Sequence, residues 1–177
     1  MGIQIGTGSA ADTLKKVMVG TGSAAVAVRK IMVGTGSAAI QVWADTVPMG
    51  MDKSGNQSGI ARSVWTLVTG WGVRAGRPDT VIASNGLQVK AGTYDIDGLI
   101  TYVSNDRRRW VRVYQNSTLL WEVSIGGTFV TSIPITGAGL SSVACGEGDL
   151  LTVEVMNDGG TDAVAGGTNT YLTATPV

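Results

Sequence analysis

Histidine is absent from this 177-residue chain, and cysteine occurs once, at Cys145. Without histidine the Ser-His and Cys-His nucleophile arrangements cannot be built, and the commonest metal ligand is missing. A single cysteine excludes an intrachain disulfide and gives no sign of an oxidising compartment. Charge is scarce as well: Asp, Glu, Lys and Arg make up 15% of the residues, against roughly a quarter in ordinary globular domains. The 13 basic and 13 acidic residues cancel, which excludes bulk attraction to nucleic acid or to an anionic membrane. No run reaches the roughly 18 apolar residues of a membrane span, so no membrane insertion is expected.

Glycine, by contrast, is abundant, and much of it lies in three near-copies of one phrase: Ile5-Gly-Thr-Gly-Ser-Ala-Ala11, Val19-Gly-Thr-Gly-Ser-Ala-Ala25 and Val33-Gly-Thr-Gly-Ser-Ala-Ala39. The copies recur every 14 residues. That period is too short for a strand, a crossover helix and a returning strand, which together need about 30 residues. The phrase formally fits the dinucleotide pattern G-x-G-x-x-A, but no helix has room to follow it, so nucleotide binding is not expected. The connectors around Val26, Val28, Ile31 and Val33 alternate like short strands, with Gly-Thr-Gly-Ser as turn residues. A unit this small cannot bury an apolar face by itself and must stack on neighbours, other copies or a host particle. Lys15-Lys16 and the apolar residues after them faintly resemble a secretory leader, yet the same words return one repeat later, which a cleaved leader does not explain. Residues 1–43 are therefore read as a repeat anchor, with Gly6, Gly20, Gly34 and Trp43 as its candidate attachment residues.

Residues 44–62, with Pro48 and a Gly/Ser-rich stretch, have no sustained period and read as a linker. From residue 63 to 177, short alternating runs separated by turn residues predict an all-β sandwich. Val111 and Val113 share one strand face, and Trp110, Arg112 and Tyr114 share the other; Leu151, Val153 and Val155 alternate in the same way. The aliphatic faces are the expected core. Two large rings on the opposite face favour packing against another chain, so Trp110 and Tyr114 are the candidate subunit-interface residues.

Arg107-Arg-Arg109, at a predicted hairpin tip, is the candidate contact for a host glycan, phosphate or acidic partner, because guanidinium groups offer forked donors. Asp95 and Asp97 lie on one strand face, where solvation is expected rather than a calcium site. Asp158, Asp162 and Glu147 are expected to be turn carboxylates, and Cys145 a buried small residue with no base to activate it. No catalysis, metal or cofactor is expected.

Two stretches carry family resemblances. Gly92-Thr-Tyr94-Asp-Ile-Asp-Gly-Leu-Ile-Thr-Tyr102 resembles the Gly-x-Tyr strand of trimeric jelly rolls of the complement and tumour-necrosis-factor type, found also in phage fibre knobs. Val111-Arg-Val-Tyr-Gln-Asn116, Gly148-Asp149 with the strand after it, and Tyr171-Leu-Thr-Ala174 are similar to later strands of that fold. The N-terminal Val-Gly-Thr-Gly repeats with their basic pairs resemble those of minor tail proteins of phages that infect actinobacteria, although Ala-Ala stands here where those repeats carry Trp. The resemblances imply short β-hairpin repeats followed by a trimeric jelly-roll head in a virion protein, on the tail rather than the capsid. Its implied partners are copies of itself, other tail or capsid proteins, and a glycan of the host cell surface. The alternatives are a capsid fibre or decoration protein, and a carbohydrate-binding module stacking sugars on Trp65, Trp71 or Trp110.

Overall fold

A computed structural model describes residues 17–20, 25–28, 30–34, 39–44, 46–104, 107–126 and 131–177. The chain divides into two units, Met1–Asp45 and Thr46–Val177. In the first, strand β1 (Val17–Gly20) pairs antiparallel with β2 (Ala25–Val28), and β3 (Lys30–Gly34) pairs with β4 (Ala39–Ala44). Gly20 opposes Ala25 and Gly34 opposes Ala39, so the second and third copies of the phrase each run from the end of one strand to the start of its partner. A single residue, 29, separates β2 from β3, and the two strands pair with β1 and β4 respectively. Trp43 stands opposite Ile31, whereas Gly6 lies outside the described residues.

Among its described residues the second unit carries fourteen strands. In chain order these are β5 (Met49–Lys53), β6 (Gln57–Ile60), β7 (Thr66–Leu67), β8 (Trp71–Val73), β9 (Val81–Ala83), β10 (Gly86–Gln88), β11 (Gly92–Thr101), β12 (Arg109–Gln115), β13 (Thr118–Ile125), β14 (Ser132–Ile135), β15 (Val143–Cys145), β16 (Leu150–Asn157), β17 (Asp162–Val164) and β18 (Gly167–Pro176). One sheet runs β13-β12-β16-β10-β9, with β7 also on β16. The other runs β14-β11-β18-β5-β8, with β15 also on β11, and β17 and β6 form a separate pair. Every pairing between named strands is antiparallel.

The core follows from two-residue alternation. Val111 and Val113 of β12 and Leu151, Val153 and Val155 of β16 are buried, as are Tyr94, Ile96 and Ile100 of β11, Ile133 and Ile135 of β14, and Leu172 of β18. Gly98 marks a tight approach: a Cβ there would sit 2.6 Å from the Tyr171 carbonyl oxygen on the neighbouring strand. Backbone cannot yield as a side-chain tip can, so only glycine fits.

Residues 46–62, expected to belong to a linker, are part of the second unit. β5 fills the place between β18 and β8, with Met49 and Met51 fully buried, and Thr80 Oγ1 accepts the Gly50 amide at 2.9 Å. The stretch was illegible because glycine and serine around a five-residue strand dilute its alternation, while a strand with neighbours on both sides is stabilised by contacts far away in sequence. β8 and β17, three residues each, were equally silent.

Candidate functional site

The consecutive arginines at 107–109 leave the backbone in different directions. Arg107 donates from Nη1 to the Gly160 carbonyl at 2.7 Å and lies against Gly159, which staples its loop to the 158–161 turn. Arg109 points into the sandwich. Its side chain has 0% exposure; Nε and Nη2 each stand 2.9 Å from Asp162 Oδ2, and Nη2 also donates to the Ser104 carbonyl at 2.7 Å. The guanidinium lies 4.5 Å from the Tyr102 ring centroid. Burial is the largest of the influences that push the Tyr102 phenol above its ordinary range, so it remains neutral beside the ion pair. Arg109 therefore cannot contact a host, because strand alternation from Val111 and Val113 carries it inward. Arg108 alone of the three is exposed, its guanidinium 5.9 Å from the Trp110 ring centroid.

Arg108 leads onto the outward face of the β13-β12-β16 sheet. Trp110, Arg112 and Tyr114 occupy alternate positions of β12, all half-buried, at steps of about 7 Å per residue pair. Arg112 is at the centre. It donates from Nε to Glu122 Oε2 at 2.6 Å, and its guanidinium carbon is 3.6 Å from the ring centroid of Trp65, which reaches it from the segment before β7. Glu122 on one side and Glu154 on the other are the cross-strand neighbours of Arg112. Burial works to lower the Arg112 pKa, but the hydrogen bond and charge of Glu122, with Tyr114 beside it, prevail and raise it. Charge is thus fixed in the middle of an aromatic surface. Trp110 and Tyr114 are the ends of this surface.

Other surveyed residues stand apart. Trp71 is buried and donates from Nε1 to the Val68 carbonyl at 2.9 Å, which removes it from any stacking surface. Trp65 is the ring that meets Arg112; nothing in its local sequence shows this, since the partner lies on a distant strand. Asp95 accepts the Ser142 amide at 2.9 Å and Asp97 accepts from the Tyr171 hydroxyl at 3.3 Å. Asp158 accepts the Arg108 amide, Asp162 is buried with Arg109, and Glu147 accepts the Ala91 amide before the opposite end of β16. These loop carboxylates do not converge, and no group of three or more metal-ligating side chains occurs among the described residues. Cys145 is buried; desolvation first, and the Asp149 charge second, push its thiol up to about 11, which leaves it protonated at neutral pH.

No family model matches the chain, and no curated protein matches it. Among solved structures, Eiger TNF from S. frugiperda aligns with a TM-score of 0.53 and 11% identity over 75% of this chain and 92% of that one. The PRD1 vertex protein P5 aligns with a TM-score of 0.48 and 18% identity over 84% and 82%. The two antiparallel sheets, the alternating core between them and the likeness to Eiger TNF make the chain a nearly all-β protein with a jelly roll of the TNF type.

Proposed function

We propose that the chain is a structural protein of a bacteriophage virion, a minor tail or short fibre protein held by its N-terminal repeats, with the second unit as an exposed homotrimeric head that meets the host surface. The observation that carries this reading is the joining, in one chain, of a short-period Gly-Thr-Gly-Ser repeat with a TNF-type jelly roll. The repeats pair as two-stranded ladders, which are marginal alone and gain order from a particle surface or from other copies. A role without catalysis suits the side-chain inventory: no histidine, a protonated buried thiol, and carboxylates engaged by backbone amides or by arginine.

Charge at the centre of the Trp110–Tyr114 face argues against a dry subunit contact there, because burying Arg112, Glu122 and Glu154 would remove their hydration. The threefold contact is assigned instead to the open side of the sandwich at edge strand β13. Trp121, Val123 and Ile125 are only partly buried there, although they point toward the core.

Immunogold labelling of purified particles with antibody raised against the chain tests the reading. Label at the tail is expected; label at capsid vertices would move the protein to the capsid, and absence from particles would overturn the virion role.

A further inference from the structure

We propose that the outward face built from Trp65, Trp110, Arg112 and Tyr114 binds a neutral glycan chain. The inference rests on the reading of the second unit as an outward-facing head, and it names the chemistry of what that head touches. Trp110 and Tyr114 stand half-buried on the outward side of β12, with the Trp65 ring stacked on the Arg112 guanidinium, and aromatic rings pack against the C–H side of a sugar ring. Between them Arg112, 26% exposed, supplies N–H donors, and Glu122, 36% exposed, supplies acceptor oxygens. A polyhydroxylated ligand needs both kinds of group near an apolar ring.

Charge complementarity selects this occupant over two others. Arg108 and Arg112 are balanced by Glu122 and Glu154 across the face, so it has no net field to hold a sulfated or phosphorylated polymer. A protein partner, including a second copy, would bury these four charges at the middle of the contact, where interfaces are depleted of charge. Sugar hydroxyls replace the lost water instead. The arginine is also held in place beforehand, stacked on Trp65 and bonded to Glu122, so little side-chain freedom remains to be lost on binding.

The full chain would be run through native gels containing soluble neutral galactans, mannans or glucans, with heparin as the anionic comparator. Retardation by at least one neutral polymer is expected, weakened at least tenfold by Trp110→Ala and by Trp65→Ala and unchanged by Arg107→Ser. Should either alanine variant fold poorly, the conservative Trp110→Phe keeps the test open: titration with the retarding polymer should shift tryptophan emission in the parent and shift it much less in this variant. Binding to heparin alone, no retardation by any neutral polymer, or a Trp110→Ala variant that loses its oligomeric mass without any loss of retardation would each overturn the proposal. Particle labelling is independent of all these readings, so the glycan site can fail while the virion role stands.

Discussion

Arg109 and Asp162 carry opposite charges into a place closed to bulk solvent, with Ser104 and Tyr102 beside them. Removing one partner leaves the other charge buried and uncompensated, which costs about 3–5 kcal/mol. Arg109→Ala should therefore lower unfolding stability in urea by roughly that amount, whereas Arg107→Ala, a surface staple, should stay within about 1 kcal/mol. Equal small losses would mean that Asp162 finds another partner. Asp149 acts at the opposite end of β16. It accepts from Asn116 Nδ2 at 2.9 Å, Gln115 Nε2 at 2.6 Å and the Gly146 amide at 2.8 Å. These bonds, with that of Asn116 foremost, hold its pKa below the ordinary 3.8. Since the folded-state value is the lower one, the unfolded chain binds the extra proton; the stabilisation is complete above about pH 4 and is lost as pH falls through the folded-state pKa. Urea midpoints measured from neutral pH down into the acid range should fall less steeply in Asp149→Asn. Parallel acid limbs in the two proteins would refute the role.

At the scale of the element, β5 decides whether the second unit folds. It lies between β18 and β8 and brings Met49 and Met51 into the core. Deleting one buried methionine side chain costs about 2–5 kcal/mol, and a domain's whole stability is about 5–15 kcal/mol. A fragment of residues 46–177 should show one cooperative unfolding transition by circular dichroism, and a fragment of residues 63–177 should show none. A sharp transition in the shorter fragment would demote β5 to an ornament. Edge strand β13 illustrates the converse case: its bounds are legible from alternation alone, yet its inward side chains remain partly uncovered. An edge of this kind needs a cover, and the sequence pattern of one strand cannot name it.

At the scale of the whole molecule, cover for β13 is the physical reason to expect assembly. Multi-angle light scattering of the full chain at micromolar concentration should return three times the chain mass of 18.2 kDa. The same mass is expected for Trp110→Ala, because the face around Arg112 is assigned to a ligand rather than to a subunit. A monomer in both would sink the trimer; a monomer only in the variant would restore Trp110 to the interface. Three heads on one axis would also raise the local concentration of a weak glycan site, so that modest single contacts suffice for adhesion.

Alternation of period two is a local property, and where it is clean it was readable: the inward aliphatic faces of β12 and β16, and the short strands around Val26, Val28, Ile31 and Val33. The family resemblance to TNF-type jelly rolls was likewise carried by short strand motifs that fall on β11, β12, β16 and β18. Partner choice is not local. Arg109 continues the inward alternation of Val111 and Val113, but the counter-charge that lets a guanidinium stay buried there comes from Asp162, 53 residues on. Trp65 and Trp71 likewise differ by what reaches them: Arg112 from a distant strand for one, the close packing of the core for the other. The strands with clean alternation therefore followed from the sequence by itself, whereas β5, β8, β17 and the site waited for the tertiary structure, because burial and charge pairing are set by residues that only folding brings together.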